Sequence, residues 1–291
     1  MVMKRWTLLA SLALALGIAV LAGCTTLDER QRSWIFQPSD RTWSGGLAAA
    51  EGMDDVWISL PARPDGAEPG KLHGLWLAAE QPRAPVLLYL HGARFNVTGS
   101  APRMRRMQEL GFSVLGVDYR GFGKSTQALP SEETAYEDAR AAWDWLAKNY
   151  PDRPRYVFGH SLGGPIAIHL ASQVGDESGT IVEGTFTSIA DVVSSSKWGW
   201  VPVSLLITQR FEAARKVGKI GSPLLVVHGG DDRLILPDLG RKLYEAAVQP
   251  KRFVLVEGGS HHNTNSVGQA QYRQALAELF SLNSLAVSAA P

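Results

Sequence analysis

An α/β fold, built on a mostly parallel sheet with helices on both faces, is what this sequence predicts, and two observations predict it. Short apolar runs alternate along the chain with segments of helical periodicity, the order that a parallel sheet with crossover helices requires. The runs are β-branched and aromatic and lack polar alternation, as strands covered on both faces do.

In chain order, Val56 to Leu60 and Leu72 to Ala78 read as an opening pair of strands, parted by ARPDGAEPG, a loop by its proline and glycine content. VLLYL (86–90), SVLGVDY (113–119), RYVFG (155–159), TIVEG (180–184), LLVVHG (224–229) and RFVLVEG (252–258) follow, giving a twisted, eight-stranded sheet. Helices are expected near 101–110, 132–149, 162–174, 237–247 and 266–281.

Ahead of this body, Lys4 and Arg5 precede an apolar run from Leu8 to Ala22, interrupted only by Ser11 and Gly17, which is the pattern of a secretory signal. The run falls short of the roughly 20 apolar residues of a spanning helix and ends in small residues at Cys24. The chain of 291 residues therefore divides into a signal peptide at 1–23, a tether and lead-in at 24–54, one folded domain at 55–282 and a frayed tail at 283–291. Cys24 is the only cysteine, so no disulfide forms within the chain. With 29 basic and 28 acidic residues there is no broad attraction to nucleic acid, which excludes that class of partner. Arg103, Arg105 and Arg106 read as a solvated helix face.

The stretch VFGHSLGG, 157–164, carries the chemistry. Ser161 follows the strand RYVFG and precedes LGGPIAIHLASQ, helical in pattern, so Gly159-His160-Ser161-Leu162-Gly163 occupies a strand-to-helix turn. A tight turn of this kind lifts a hydroxyl above the carboxyl edge of the sheet, and its glycines leave room for neighbouring backbone. The helix N-terminus supplies free N–H groups for developing negative charge. Alone, G-x-S-x-G arises by chance; between this strand and this helix it is specific. A serine hydroxyl needs a base, and the base a group to orient it. HGGDDRLI, after the strand LLVVHG, offers Asp231 and Asp232, and EGGSHHN, after the last strand, offers His261 and His262. The order serine, acid, histidine, each just beyond a strand, is the one a nucleophile elbow requires.

With YLHGARFN, GFSVLGVDYRGFGKS, TAYEDARAAWDWLAKNYP, VFGHSLGGPIAI, SPLLVVHGGDDRLILP and VEGGSHH, the chain from about Leu72 to Phe280 resembles the α/β-hydrolases, in their serine-aminopeptidase-like and monoacylglycerol-lipase-like branch with a minimal lid. The N-terminal Leu21-Ala22-Gly23-Cys24 resembles the lipobox of bacterial lipoproteins. The hydrolase resemblance implies a catalytic Ser161, and its pattern H-G-x-x-D-x-x-V falls on His228, Gly229, Asp232 and Ile235, which prefers Asp232 as the acid over Asp231. Its G-x-x-H counted from Gly258 reaches His261 and from Gly259 reaches His262; His261 is preferred, with the neighbour left open. It implies an oxyanion hole from the N–H groups of Ala93 and Leu162, with Arg94 and Phe95 shaping the pocket mouth, and no metal or organic cofactor. His91, His160 and His228 belong to the family's structural phrases, His73 and His169 read as satisfied structural histidines, and Asp118 as a partner of its own loop.

The expected activity is serine hydrolysis of an ester, carboxylesterase- or lipase-like, on a small acyl ester or lipid-like substrate. A thioesterase or peptidase, or a lipid-anchored binding protein with an idle triad, are the alternatives. About forty residues separate TIVEG from LLVVHG, leaving room for the crossover helix and only a small lid. There Trp198 and Trp200, with Val201, Pro202 and Leu205, read either as an apolar wall beside Ser161 or as packing under that helix. The lipobox resemblance implies acylation of Cys24 and attachment to a membrane of the bacterial envelope, and Thr25 after the cysteine favours the outer membrane.

Overall fold

The computed structural model describes residues 23, 25–43, 45–62, 69–195 and 206–282. Eight strands form one sheet in the order β1-β2-β4-β3-β5-β6-β7-β8. They are β1 (Asp54–Ser59), β2 (Lys71–Leu77), β3 (Val86–Leu90), β4 (Ser113–Val117), β5 (Arg155–His160), β6 (Glu177–Glu183), β7 (Leu224–Gly229) and β8 (Lys251–Val256). β2 pairs antiparallel with β1 and with β4; every pairing from β4 onward is parallel. β3, β4 and β7 are buried along their whole length, the physical reason their sequences carry no polar alternation.

The helices are α1 (25–36), α2 (Gly46–Ala50), α3 (Val97–Glu109), α4 (Glu132–Asn149), α5 (Gly163–Ala171), α6 (Ile189–Ser194), α7 (Pro237–Ala246), α8 (Thr264–Val267) and α9 (Gln269–Phe280). Trp143 of α4, Ile166 of α5 and Leu243 of α7 pack on one face of the sheet. Met104 and Met107 of α3 and Tyr272 and Leu276 of α9 cover the other. α4 starts with a reciprocal cap, in which Ser131 Oγ accepts the Thr134 N–H at 3.1 Å and Thr134 Oγ1 accepts the Ser131 N–H at 2.8 Å.

Several boundaries differ from expectation for local reasons. α3 begins at Val97 instead of near 101, because Asn96 Oδ1 accepts the Gly99 N–H and Asp118 Oδ1 accepts the Val97 N–H at 2.6 Å. The last helix is broken in two at Gly268, where an added Cβ would meet the side chain of Val256. Between β6 and β7 the described crossover has only the six-residue α6 and a 3₁₀ turn at Val217–Lys219; Trp198, Trp200 and their apolar neighbours lie outside the described residues. Cys24 lies outside them too. No helix among the described residues is long and apolar enough to cross a membrane. The lead-in is part of the packed body: Phe36 is fully buried against Phe122 and Phe211, and the Arg32 guanidinium donates to the carbonyls of Leu129 and Pro130.

Candidate active site

β5 ends at His160, and the chain turns sharply into α5. Ser161 makes the turn with φ 54°, a left-handed conformation that costs a non-glycine residue roughly 1–3 kcal/mol. Three neighbours over-determine it: the Ser161 N–H donates to the Glu183 carbonyl at 2.9 Å, and its own carbonyl accepts from the Gly164 N–H at 2.9 Å and the Thr185 hydroxyl at 3.0 Å. Glycine is required at 163, since an added Cβ there would run into the Leu90 carbonyl of β3.

The carboxyl ends of β7 and β8 bring two further side chains to this serine. His261 Nε2 lies 3.0 Å from Ser161 Oγ, and its Nδ1 lies 2.8 Å from Asp232 Oδ2. Asp232 is buried, and its Oδ1 accepts the backbone N–H groups of Leu234 and Ile235, each at 2.9 Å. Burial alone would raise its pKa, but hydrogen bonds from His228, His261 and the Ile235 backbone hold it well below the usual carboxylate range. The acid is therefore anionic, and because a carboxylate only accepts, His261 Nδ1 carries the proton and Nε2 is free to receive one.

Asp231 and His262 fall away from this line, whereas Leu162 and the loop after β3 border Ser161. Asp231 is exposed, its backbone N–H tying to the Gly259 carbonyl at 2.8 Å. His262 is exposed and stacks on Trp43 with ring centroids 5.5 Å apart. Leu162 follows the serine as the N-cap of α5, and the loop after β3 crosses the elbow closely enough that a Cβ on Gly92 would sit 3.0 Å from the Ser161 Cβ; Ala93 is the next residue of that loop. Arg94 and Phe95 both have positive φ, 68° and 59°. The Arg94 N–H donates to the Phe36 carbonyl at 2.9 Å and its Nε to Gln37 Oε1 at 2.7 Å, while Phe95 meets the edge of Trp43 at 5.0 Å.

Three readings are corrected. Arg103 is not on a solvated face: its side chain is 13% exposed, and its Nε donates to Glu183 Oε1 at 2.9 Å. Burial is repaid there by a paired charge, which helical periodicity cannot reveal. His169 is not fully satisfied, since its Nδ1 has no hydrogen-bond partner among the described residues; its ring stacks on Tyr136 at 3.6 Å and burial holds its pKa down to about 4. Asp118, instead of serving its own loop alone, joins α3 to His73, whose Nδ1 lies 3.3 Å from Oδ2. Sequence reasoning missed Glu183, Phe36 and Trp43. For Glu183 a signal existed, a carboxylate directly after the buried apolar pair Ile181-Val182 at the end of β6; for the other two none did.

A family profile described as serine aminopeptidase, S33, matches residues 80–213. An uncharacterized protein of Mycobacterium tuberculosis is 30% identical over 246 residues, covering 82% of this chain and 83% of that protein. The lysophosphatidylserine lipase ABHD12 of Danio rerio is 29% identical over 246 residues, covering 74% of this chain, which spans 61% of that relative's length. Among solved structures, an esterase of Pyrococcus furiosus superposes with a TM-score of 0.65 at 20% identity, covering 85% of this chain and 97% of its own.

Proposed function

The chain belongs to the α/β-hydrolase superfamily, and from that premise we propose that it is a serine hydrolase cleaving a carboxylic ester through an acyl-enzyme. The single observation that carries this reading is the continuous line Ser161 Oγ, His261 Nε2 at 3.0 Å, and His261 Nδ1 to Asp232 Oδ2 at 2.8 Å. A nucleophile, a base and an orienting acid within hydrogen-bond reach is the arrangement acyl transfer needs.

In this mechanism His261 takes the Ser161 proton as Oγ attacks the acyl carbonyl, and anionic Asp232 steadies the imidazolium. The tetrahedral oxyanion is bound by the N–H groups of Ala93 and Leu162; one such donor typically contributes about 100- to 1,000-fold in turnover. The imidazolium then protonates the departing alcohol, and water, activated by the same imidazole, releases the acid and restores Ser161.

The named activities of the relatives, a lipase and an esterase, support an ester or lipid-like substrate. The profile's description as an aminopeptidase supports amide cleavage as the second reading. We place the protein at a bacterial envelope membrane, held by an acylated Cys24 after removal of residues 1–23. In support, Leu27 and Trp34, seven apart and so on one face of α1, are exposed just beyond that cysteine.

The test is hydrolysis of p-nitrophenyl esters of increasing acyl length, with labelling by a fluorophosphonate. Wild type reacts with both, one chain length is preferred, and Ser161→Ala loses both while staying folded. Turnover that survives in Ser161→Ala would remove the assignment, and an aminoacyl anilide cleaved faster than any ester would favour the peptidase.

A further inference from the structure

A buried ion pair lies directly beneath the histidine loop. Arg103 of α3 and Glu183 at the end of β6 meet at 2.9 Å with side chains 13% and 1% exposed, and the Tyr272 hydroxyl of α9 donates to the other carboxylate oxygen. Two charges taken out of water do not earn their place by stability alone, because their desolvation offsets their attraction. What they touch is informative. Arg103 Nη2 donates to the backbone carbonyl of His262 at 3.3 Å. Glu183's own carbonyl accepts the Ser161 N–H at 2.9 Å. Across the β5–β6 register from Glu183 stands His160, whose Nε2 lies 3.1 Å from the carbonyl of His261. A carbonyl only accepts, so that nitrogen carries the proton; burial, with Arg103 and His261 close by, keeps His160 neutral.

Thus the carbonyls of both adjacent histidines are tied to donors from α3 and β5, and one residue, Glu183, holds the serine's backbone with its main chain and the arginine with its side chain. We propose that Glu183 and Arg103, with His160, are positioning residues that fix the His261 loop relative to Ser161 and so keep Nε2 in line with Oγ. This rests on Ser161 and His261 being the reacting pair. The His261 side chain has its own partners, Asp232 and Ser161, but those set the ring only once the backbone lies at the right depth. The clamp sets that depth, and a misplacement of 1 Å there would cost on the order of 100-fold in rate.

The experiment uses the full chain and the double variant Arg103→Met/Glu183→Gln, which removes both charges together and leaves neither buried alone, with Ser161→Ala as control. Expected are an unchanged far-UV spectrum, kcat on a p-nitrophenyl ester lowered about 10- to 100-fold, and KM within about twofold. The downfield proton resonance of the His261–Asp232 hydrogen bond should shift or broaden as well. Should the double variant not fold, Arg103→Lys alone carries the same expectation, since the ammonium keeps a charge opposite Glu183 but lacks the second arm that reaches the His262 carbonyl, and the Ser161 amide contact stays intact. A folded variant with wild-type kcat overturns the clamp, as does a fall in kcat with that resonance unmoved. If Ser161→Ala keeps its activity, the reading of the site itself fails; if it is inactive while the double variant is fully active, only the clamp fails.

Discussion

Trp43 stacks on His262 with ring centroids 5.5 Å apart and 27° between planes, and its edge meets Phe95 at 5.0 Å. The lead-in thereby touches both the loop that follows β3 and the loop that carries His261. Together with the Phe36 carbonyl on the Arg94 N–H, these contacts tie the lead-in to both loops that flank Ser161.

Trp43→Ala should therefore lower kcat/KM for p-nitrophenyl esters by about 2- to 10-fold, since each aromatic pair contributes about 0.5–1.5 kcal/mol beyond area burial. The indole is 46% exposed, so the melting temperature should change little. Wild-type kcat/KM in this variant would show that the lead-in is packing only.

Asp232→Asn keeps the shape of the acid but can donate toward His261 Nδ1, favouring the wrong tautomer. Removing the charge that steadies the imidazolium in a serine triad costs on the order of 10,000-fold in kcat. Steady-state kinetics with a folded variant checks this, and a loss of less than about tenfold would take Asp232 out of the mechanism.

Stability should carry a histidine signature. Buried His73 has Nε2 2.6 Å from Asp55 and Nδ1 3.3 Å from Asp118, and Lys124 lies 3.3 Å from Asp55. Burial works to lower its pKa, but hydrogen bonds to Asp118 and Asp55 outweigh it and raise the value above 6.5. Folding therefore favours the charged form. That contribution is complete below the unfolded value and lost as pH rises through the raised folded one. Melting temperature measured from about pH 6 to 9 should fall more in wild type than in His73→Asn, and parallel curves would dismiss the effect.

Cys24→Ser should abolish incorporation of radiolabelled palmitate and move the protein from the membrane to the soluble fraction. Acyl chains contribute about 0.8 kcal/mol per buried methylene, and two or more anchor a protein stably. A serine variant that stays in the membrane with its leader attached would replace the lipid tether with an uncleaved anchor.

Ser161 and its setting were legible in the sequence because the motif is short: Gly159 is demanded by the backbone of Gly163 and Gly164 only a few positions on, while Gly163 is demanded by the Leu90 carbonyl of β3, a distant contact that still leaves its mark as a glycine two residues after the serine. The strands were legible for the same kind of reason, since burial on both faces writes itself as an unbroken apolar run. The interior of α4, capped by Ser131 and Thr134, matched its expected bounds, whereas α3 began early because one of its caps, Asp118, lies 21 positions downstream.

The amino-acid sequence by itself determined the class of fold, the order of its elements and the residue types brought to one edge of the sheet, because these follow from periodicity, sterics and neighbouring residues. Only the tertiary structure decided which imidazole of the His261–His262 pair lies against Ser161 and Asp232. Adjacent residues in a turn point in different directions, and the partners here come from far off in the chain: Asp232 and Ser161 hold the His261 ring, and His160 and Arg103 hold the two carbonyls from 101 and 159 positions away. The same holds for Arg103 itself, a charge that reads as solvated until β6 brings Glu183 against it.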